Sequence, residues 1–318
     1  MKSTRSIFKT CVLTITATVA LIAVADSARA ALLAYEPFDN PVGTAIIGSS
    51  SPGSFGWGTA WVDYRAAAGT TATNLGYSLG YSDGVNSLVT LGGAGFFQGR
   101  TTAAGDLQPM RLLPTVRGTN DINEVSWISF LSLRQGPTTT LANPYGRGAN
   151  LAHDLTNYAS TSLIQRLAVG GSSGAPSNTV NLIPLGSGGA RKPTDVTFGG
   201  QLDFIVMAIE HNSGNISNDT AYVWVNPTDG AGLPLGGANP AFSTALTNTL
   251  GVAYEFQFDR IRVFAGGNAN ASQPYVEWIV DEYRLGESWA DVTPIPEPTV
   301  AVLGGLAALA LVLYRRKR

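Results

Sequence analysis

The chain has 318 residues, with 20 Lys and Arg, 22 Asp and Glu, two His and a single Cys. Four of the cations fall within the first 30 residues and four more close the chain, which leaves 12 basic against 20 acidic residues between positions 31 and 295. That net charge of about −8 is ill suited to nucleic acid, whose phosphates require a basic face, and with no cysteine the segment has no disulfide, thiolate metal site or cysteine nucleophile.

Residues 1–30 read as an export signal. Lys2, Arg5 and Lys9 give a basic start, Cys11 to Ala25 form an apolar run, and Ala28-Arg29-Ala30 places small residues at the two positions a signal peptidase reads. Cleavage is expected after Ala30. The run is too short and wrongly flanked for a retained helix, and no lipobox surrounds Cys11.

The body, 31–292, reads as all-β and as one domain. Val125–Leu133 is rich in β-branched and aromatic residues, and Phe204–Ile209 is a continuous apolar run of the kind expected for a strand covered on both faces. Ala221–Val225 follows after a polar turn and is expected to pair with it as an antiparallel hairpin. Ile261–Phe264 and Tyr275–Leu285 supply further strands, and Gly-rich segments at 91–99, 170–174 and 186–189 fit loops between strands. Such a pattern predicts two stacked antiparallel sheets.

The last segment, 293–318, has three parts in order. Pro296-Glu297-Pro298 is followed by an uncharged stretch from Thr299 to Tyr314 and then by Arg315-Arg316-Lys317-Arg318. The stretch 299–314 is expected to be a transmembrane helix of roughly 24 Å at about 1.5 Å per residue, slightly short of a bilayer core of about 30 Å unless Tyr314 and the arginines reach to the interface. The four cations place the C-terminus in the cytoplasm and the body outside.

This tail resembles the PEP-CTERM sorting signal of Gram-negative bacteria. The resemblance implies export to the envelope or exopolysaccharide matrix and an exosortase-type membrane protease as partner, beside signal peptidase. An ordinary single-pass anchor with a chance Pro-Glu-Pro is the plain alternative. The body resembles the concanavalin A-like or laminin-G-like jelly roll. The carrying residues are Tyr35–Gly43, Trp127–Phe130, Val223–Pro227, Asp281–Gly286 and Trp289–Val292. That resemblance implies a β-sandwich that hosts lectins, glycosidases and adhesion modules alike.

Catalytic residues are not evident. Gly170-Gly-Ser172-Ser-Gly174 fits the G-x-S-x-G pattern, but no helix follows to lift the serine. Only His153 and His211 exist, without metal-ligand spacing, and no calcium-loop pattern is present. No metal or cofactor is therefore expected, calcium being allowed only by the resemblance. Glu277 and Asp281 lie roughly 13 Å apart along one strand face at about 3.3 Å per residue, too far for a glycosidase pair at about 5–9.5 Å. The candidate ligand-contacting rings are Trp57, Trp61 and Tyr64, which with neighbouring polar groups suit stacking on sugar. The sequence thus predicts an exported surface or matrix protein without catalysis of its own that binds polysaccharide. The alternative is a glycan hydrolase or lyase on the same fold.

Overall fold

The computed structural model describes residues 32–102, 105–118, 122–136, 148–156, 163–171, 179–184, 192–197, 199–212, 219–242, 256–267 and 275–295. The leader, Ser172, and the tail from Pro296 onward, including the expected helix 299–314, lie outside them. Among the described residues no helix is long and apolar enough to cross a membrane.

Fourteen strands are described in chain order: β1 (Ala34–Glu36), β2 (Val62–Ala66), β3 (Thr71–Leu75), β4 (Ala94–Gln98), β5 (Leu107–Arg117), β6 (Ile122–Gln135), β7 (Ala149–Thr156), β8 (Leu163–Gly171), β9 (Thr179–Pro184), β10 (Lys192–Thr197), β11 (Leu202–Asn212), β12 (Thr220–Val225), β13 (Phe258–Ala265) and β14 (Glu277–Gly286). A single-turn helix, α1 (Trp289–Val292), follows. The strands form two seven-stranded antiparallel sheets. Sheet A runs β12-β11-β6-β14-β4-β3, with β1 also on β14, and sheet B runs β10-β9-β8-β7-β13-β5-β2.

The hairpin expected from the sequence is β11–β12, in register from Ile205 opposite Val225 to Glu210 opposite Thr220. β11 is an interior strand, paired on its other side to β6. Its residues alternate between two apolar layers, which is why the run is continuous rather than alternating. Ile205, Met207 and Ile209 face sheet B in the main core, with Ile128 and Phe130 of β6 and Ile261 and Val263 of β13. Phe204, Val206 and Ala208 face away into a second core with Trp127, Trp224 and Trp289.

That second core is closed by the chain on either side of the sheet. Leu79 and Leu88 cover it from one loop, Leu233 and Leu235 from another, and Trp289 and Val292 from α1. Trp127 and Trp224 stack at 5.5 Å, with Trp289 edge-on to both at 5.9 and 5.7 Å. α1 is short but well capped: Ser288 Oγ accepts from the Asp291 N–H, and Asp291 Oδ2 accepts from the Ser288 N–H at 2.7 Å, a reciprocal capping box. Sheet A is therefore apolar on both faces and closed on both. The face of sheet B turned away from the core is the one that carries charge.

Candidate functional site

The three candidate rings do not form one platform. Trp61 is 1 % exposed, stacked on Phe38 at 5.9 Å, with its indole N–H donated to Glu36 Oε2 at 2.9 Å. Its ring belongs to the core and is closed to a ligand. The correction follows from position, since Trp61 directly precedes β2 and points between the sheets beside Phe97. Trp57 is partly buried against the same core, and its N–H is donated to the Tyr35 carbonyl at 2.8 Å. Tyr64 alone is well exposed, at 42 %.

Tyr64 owes that position to a bulge. In the β2–β5 pairing Asp63 faces Pro109 and Arg65 faces Gln108, so Tyr64 is the inserted residue. A bulge re-aims its side chain out of the regular alternation. The ring sits over Arg262, whose guanidinium carbon is 5.7 Å from its centroid.

Arg262 lies on β13 between Met110 of β5 and Ala152 of β7. Its neighbours Ile261 and Val263 point into the core, so Arg262 points to the outer face of sheet B. Asp154 accepts from its Nε at 2.6 Å and its Nη2 at 3.3 Å, and Gln108 Oε1 accepts from Nη1 at 2.6 Å. The guanidinium is thereby fixed in plane by a two-point carboxylate contact. Because Gln108 accepts through its oxygen, its amide N–H groups point away from the arginine. Arg260, two residues earlier on the same face, is held by both oxygens of Asp259 at 2.5 and 2.9 Å. Beyond Arg262 the row continues through Ala152, Ala168 and Ile183, which are buried and form a small third apolar cluster.

A second feature lies on the inner side of β5. Residues 108 and 111 are three apart on one strand and so face opposite ways. Arg111 is 2 % exposed and paired with the fully buried Glu36. Burial pulls the guanidinium pKa down and the Glu36 charge opposes that pull. Arg111 also donates to the Thr59 carbonyl and to Ser54 Oγ, each at 3.0 Å, and stands 5.0 Å from the Trp57 ring. Above it is a cavity of about 350 Å³ whose walls include Ser50, Ser54, Phe55, Trp57 and Thr59.

The acidic residues of β14 serve structure. Glu282 sits at φ 55° in a bulge of the β14–β6 pairing and donates its N–H to Asp281 Oδ1 at 2.8 Å. Asp281 Oδ2 accepts from the Leu79 N–H at 2.8 Å, while Glu282 accepts from Tyr35 Oη at 2.7 Å, from the Leu91 N–H and from Arg284. Both carboxyl groups are fully buried, tying the 79–91 loop to sheet A. Burial, then the Glu282 charge, pushes Asp281 up to about 9 against the pull of the two N–H donors. Glu277 accepts from Gln98 at 2.8 Å instead of joining a catalytic pair.

Both histidines are buried, each within hydrogen-bonding distance of a hydroxyl. His153 is fully buried between Phe258 at 5.0 Å and Tyr283, and burial takes it down to about 3, so it is neutral. His211 lies 3.0 Å from Ser126 Oγ through Nε2 and 3.6 Å from Asp219 through Nδ1. This has the composition of a triad, but Ser126 is fully buried on the inner face of β6, where no substrate reaches it. Among the described residues no group of three or more His, Cys, Asp or Glu is disposed to hold a metal ion.

No protein-family model matches the sequence, and no curated protein matches it. Solved structures of similar arrangement include an endo-β-1,4-glucuronan lyase from the fungus Trichoderma reesei, 12 % identical, with a TM-score of 0.49 over 80 % of this chain and 98 % of that one. An endo-1,3-β-glucanase from Streptomyces sioyaensis is 12 % identical, with a TM-score of 0.44 over 81 % and 96 %. The lectin UEA-II, in complex with galactose, is 13 % identical, with a TM-score of 0.34 over 68 % and 97 %. At these values no residue role is carried over. One expectation is corrected all the same. The sequence reading took the missing carboxylate pair as the mark of a protein without catalysis. Two of these three sandwiches are named as glycan-cleaving enzymes, so that inference from the fold is withdrawn.

Proposed function

We propose that the protein is an exported carbohydrate-active protein on a concanavalin-like sandwich, and that it cleaves a uronate-containing polysaccharide across the outer face of sheet B. The observation carrying this reading is the exposed Tyr64 ring over the Arg262–Asp154–Gln108 cluster. Elimination suits these groups better than hydrolysis. Hydrolysis asks for two working carboxylates, and here Asp154 and Asp259 are each held by an arginine through both oxygens.

In elimination the uronate carboxylate meets the cluster at the small edge it exposes beneath Tyr64, where Gln108 and Arg262 are 6 % and 7 % exposed, and the Gln108 amide N–H groups stabilise the charge that develops on it. The Tyr64 hydroxyl oxygen takes the proton from the adjacent carbon as its own phenolic proton passes to the departing sugar oxygen. The carbon–oxygen bond to the leaving sugar breaks, a carbon–carbon double bond forms, and the departing oxygen is protonated. No water is consumed. Asp154 and Asp259 already pair Arg262 and Arg260, so the outer face is locally near neutral and the uronate carboxylate is met by the Gln108 amide N–H groups rather than by an unpaired cation.

The test is to incubate purified full-length protein with glucuronan, alginate and pectate and to follow unsaturated sugar ends by ultraviolet absorbance. Tyr64→Phe should lower the rate about 100- to 10,000-fold, the usual worth of a positioned proton-transfer group, with unchanged thermal stability. Cleavage of none of the three, or equal rates for Tyr64→Phe and the parent, would overturn the reading. Around this activity we place the tail as the address, with Pro296-Glu297-Pro298 read by a membrane protease and Arg315–Arg318 holding the helix in register.

A further inference from the structure

We infer that the cavity above Arg111 is a second carbohydrate site, separate from the outer face of sheet B, and that it takes an uncharged sugar unit. At about 350 Å³ it falls at the small end of the range for small-ligand sites, about 300–1,000 Å³.

Its walls are held before any ligand arrives. The Trp61 N–H donates to the Ser49 carbonyl at 3.0 Å and the Gly58 N–H to the Leu112 carbonyl at 2.9 Å. Thr59 is fixed twice, its carbonyl by Arg111 and its hydroxyl by the Leu112 N–H at 3.2 Å. Gly56 lets the loop lie flat on the sandwich: at φ 75° a Cβ there would stand 1.9 Å from the Leu33 carbonyl oxygen. A preformed site loses little ordering entropy on binding.

The chemistry of the walls selects a sugar. Phe55 is 47 % exposed at the rim, backed by Tyr35 at 5.9 Å, and offers an apolar face to the C–H side of a pyranose. Ser50 adds an exposed hydroxyl. A guanidinium carries five N–H groups. Three of those on Arg111 go to Thr59, Glu36 and Ser54, which leaves one on each Nη for ligand oxygens.

Charge then sets the class of ligand for this site. Glu36 already neutralises Arg111, so a ligand carboxylate would bring a second negative charge against one buried cation. Burying an uncompensated charge is expensive, whereas sugar hydroxyls accept from the two N–H groups without that penalty. The ligand is thus a neutral unit, such as a glucosyl or galactosyl residue, and not a uronate.

The test uses full-length protein and calorimetric titration with a neutral gluco-oligosaccharide and with a uronate oligosaccharide. Ser50→Trp fills the mouth from an exposed position, and Phe55→Ala removes the rim ring. Each should weaken neutral-sugar binding at least tenfold while leaving the melting temperature and any uronate cleavage as in the parent. Tyr64→Ala should leave neutral-sugar binding intact. The inference is overturned if the neutral oligosaccharide does not bind, if Ser50→Trp binds it as the parent does, or if Tyr64→Ala abolishes it. Absence of uronate cleavage would bear on the outer face alone, because the cavity is read out by binding.

Discussion

Removing one partner of the Glu36–Arg111 pair should be among the most destabilising single changes available in the described chain. Both side chains are essentially buried, at 0 % and 3 % exposure. Arg111→Met would leave the Glu36 carboxylate with the Trp61 and Phe38 N–H groups and no cation. Breaking a buried pair in this way costs about 3–5 kcal/mol, which for a domain of this size corresponds to a fall of roughly 6–20 °C in melting temperature. Glu36→Gln should cost a similar amount, since it strands the arginine. The double variant removes both charges, so its cost should fall well short of the sum, with a coupling of about 2–3 kcal/mol. Urea unfolding of the parent, both single variants and the double variant closes the cycle. Costs that add within about 0.5 kcal/mol, or single costs below about 1 kcal/mol as for an exposed pair, would refute the claim that the cavity floor is a desolvated ion pair.

Stability should also pass through a maximum in mildly acidic solution. Asp281 is raised to about 9 in the fold, so its contribution is full below the ordinary carboxylate value and is lost as pH rises toward 9. His153 is depressed to about 3, so its contribution is full above the ordinary imidazole value and is lost as pH falls toward 3. Urea midpoints across pH 3–9 check this, and His153→Phe should flatten the acid limb only. In the native host, Pro296→Ala with Pro298→Ala should leave the protein membrane-inserted but unprocessed, because proline fixes the backbone shape that a protease would read. Fractionation of a tagged protein checks it, and normal processing of that variant would reduce the tail to an anchor.

What was legible in the sequence was the alternation. Phe204–Ile209, Ala221–Val225 and Tyr275–Leu285 announced strands because burial on one face or both leaves a direct mark on composition. The outer-face arginines were legible too. Asp259-Arg-Ile-Arg-Val263 alternates charged and apolar residues, which places Arg260 and Arg262 on the face opposite Ile261 and Val263. Their partners were not legible. Asp154 and Gln108 come from β7 and β5, on either side of β13, and lie 108 and 154 residues before Arg262 in the chain. Trp57, Trp61 and Tyr64 cluster in sequence but separate in space, because a strand begins at Val62 and its two faces lead to different places.

Both irregularities that matter most break the alternation itself. Read as a regular strand, β2 would set Tyr64 by simple parity with Val62, and β14 would send Asp281 and Glu282 to opposite faces. In the structure each carries a bulge. The β14 bulge turns two neighbouring carboxylates into one buried anchor, which takes them out of any catalytic account. The β2 bulge sets an aromatic ring over Arg262 at the edge of the outer face of sheet B. From the adjoining strand β5, Gln108 then reaches that outer cluster while Arg111, three residues on, forms the floor of the inner cavity. One edge of sheet B therefore serves both candidate sites. Two sites on opposite faces of one strand can meet different segments of a long polymer without meeting each other. A polysaccharide with both charged and neutral units is the ligand class that would use both.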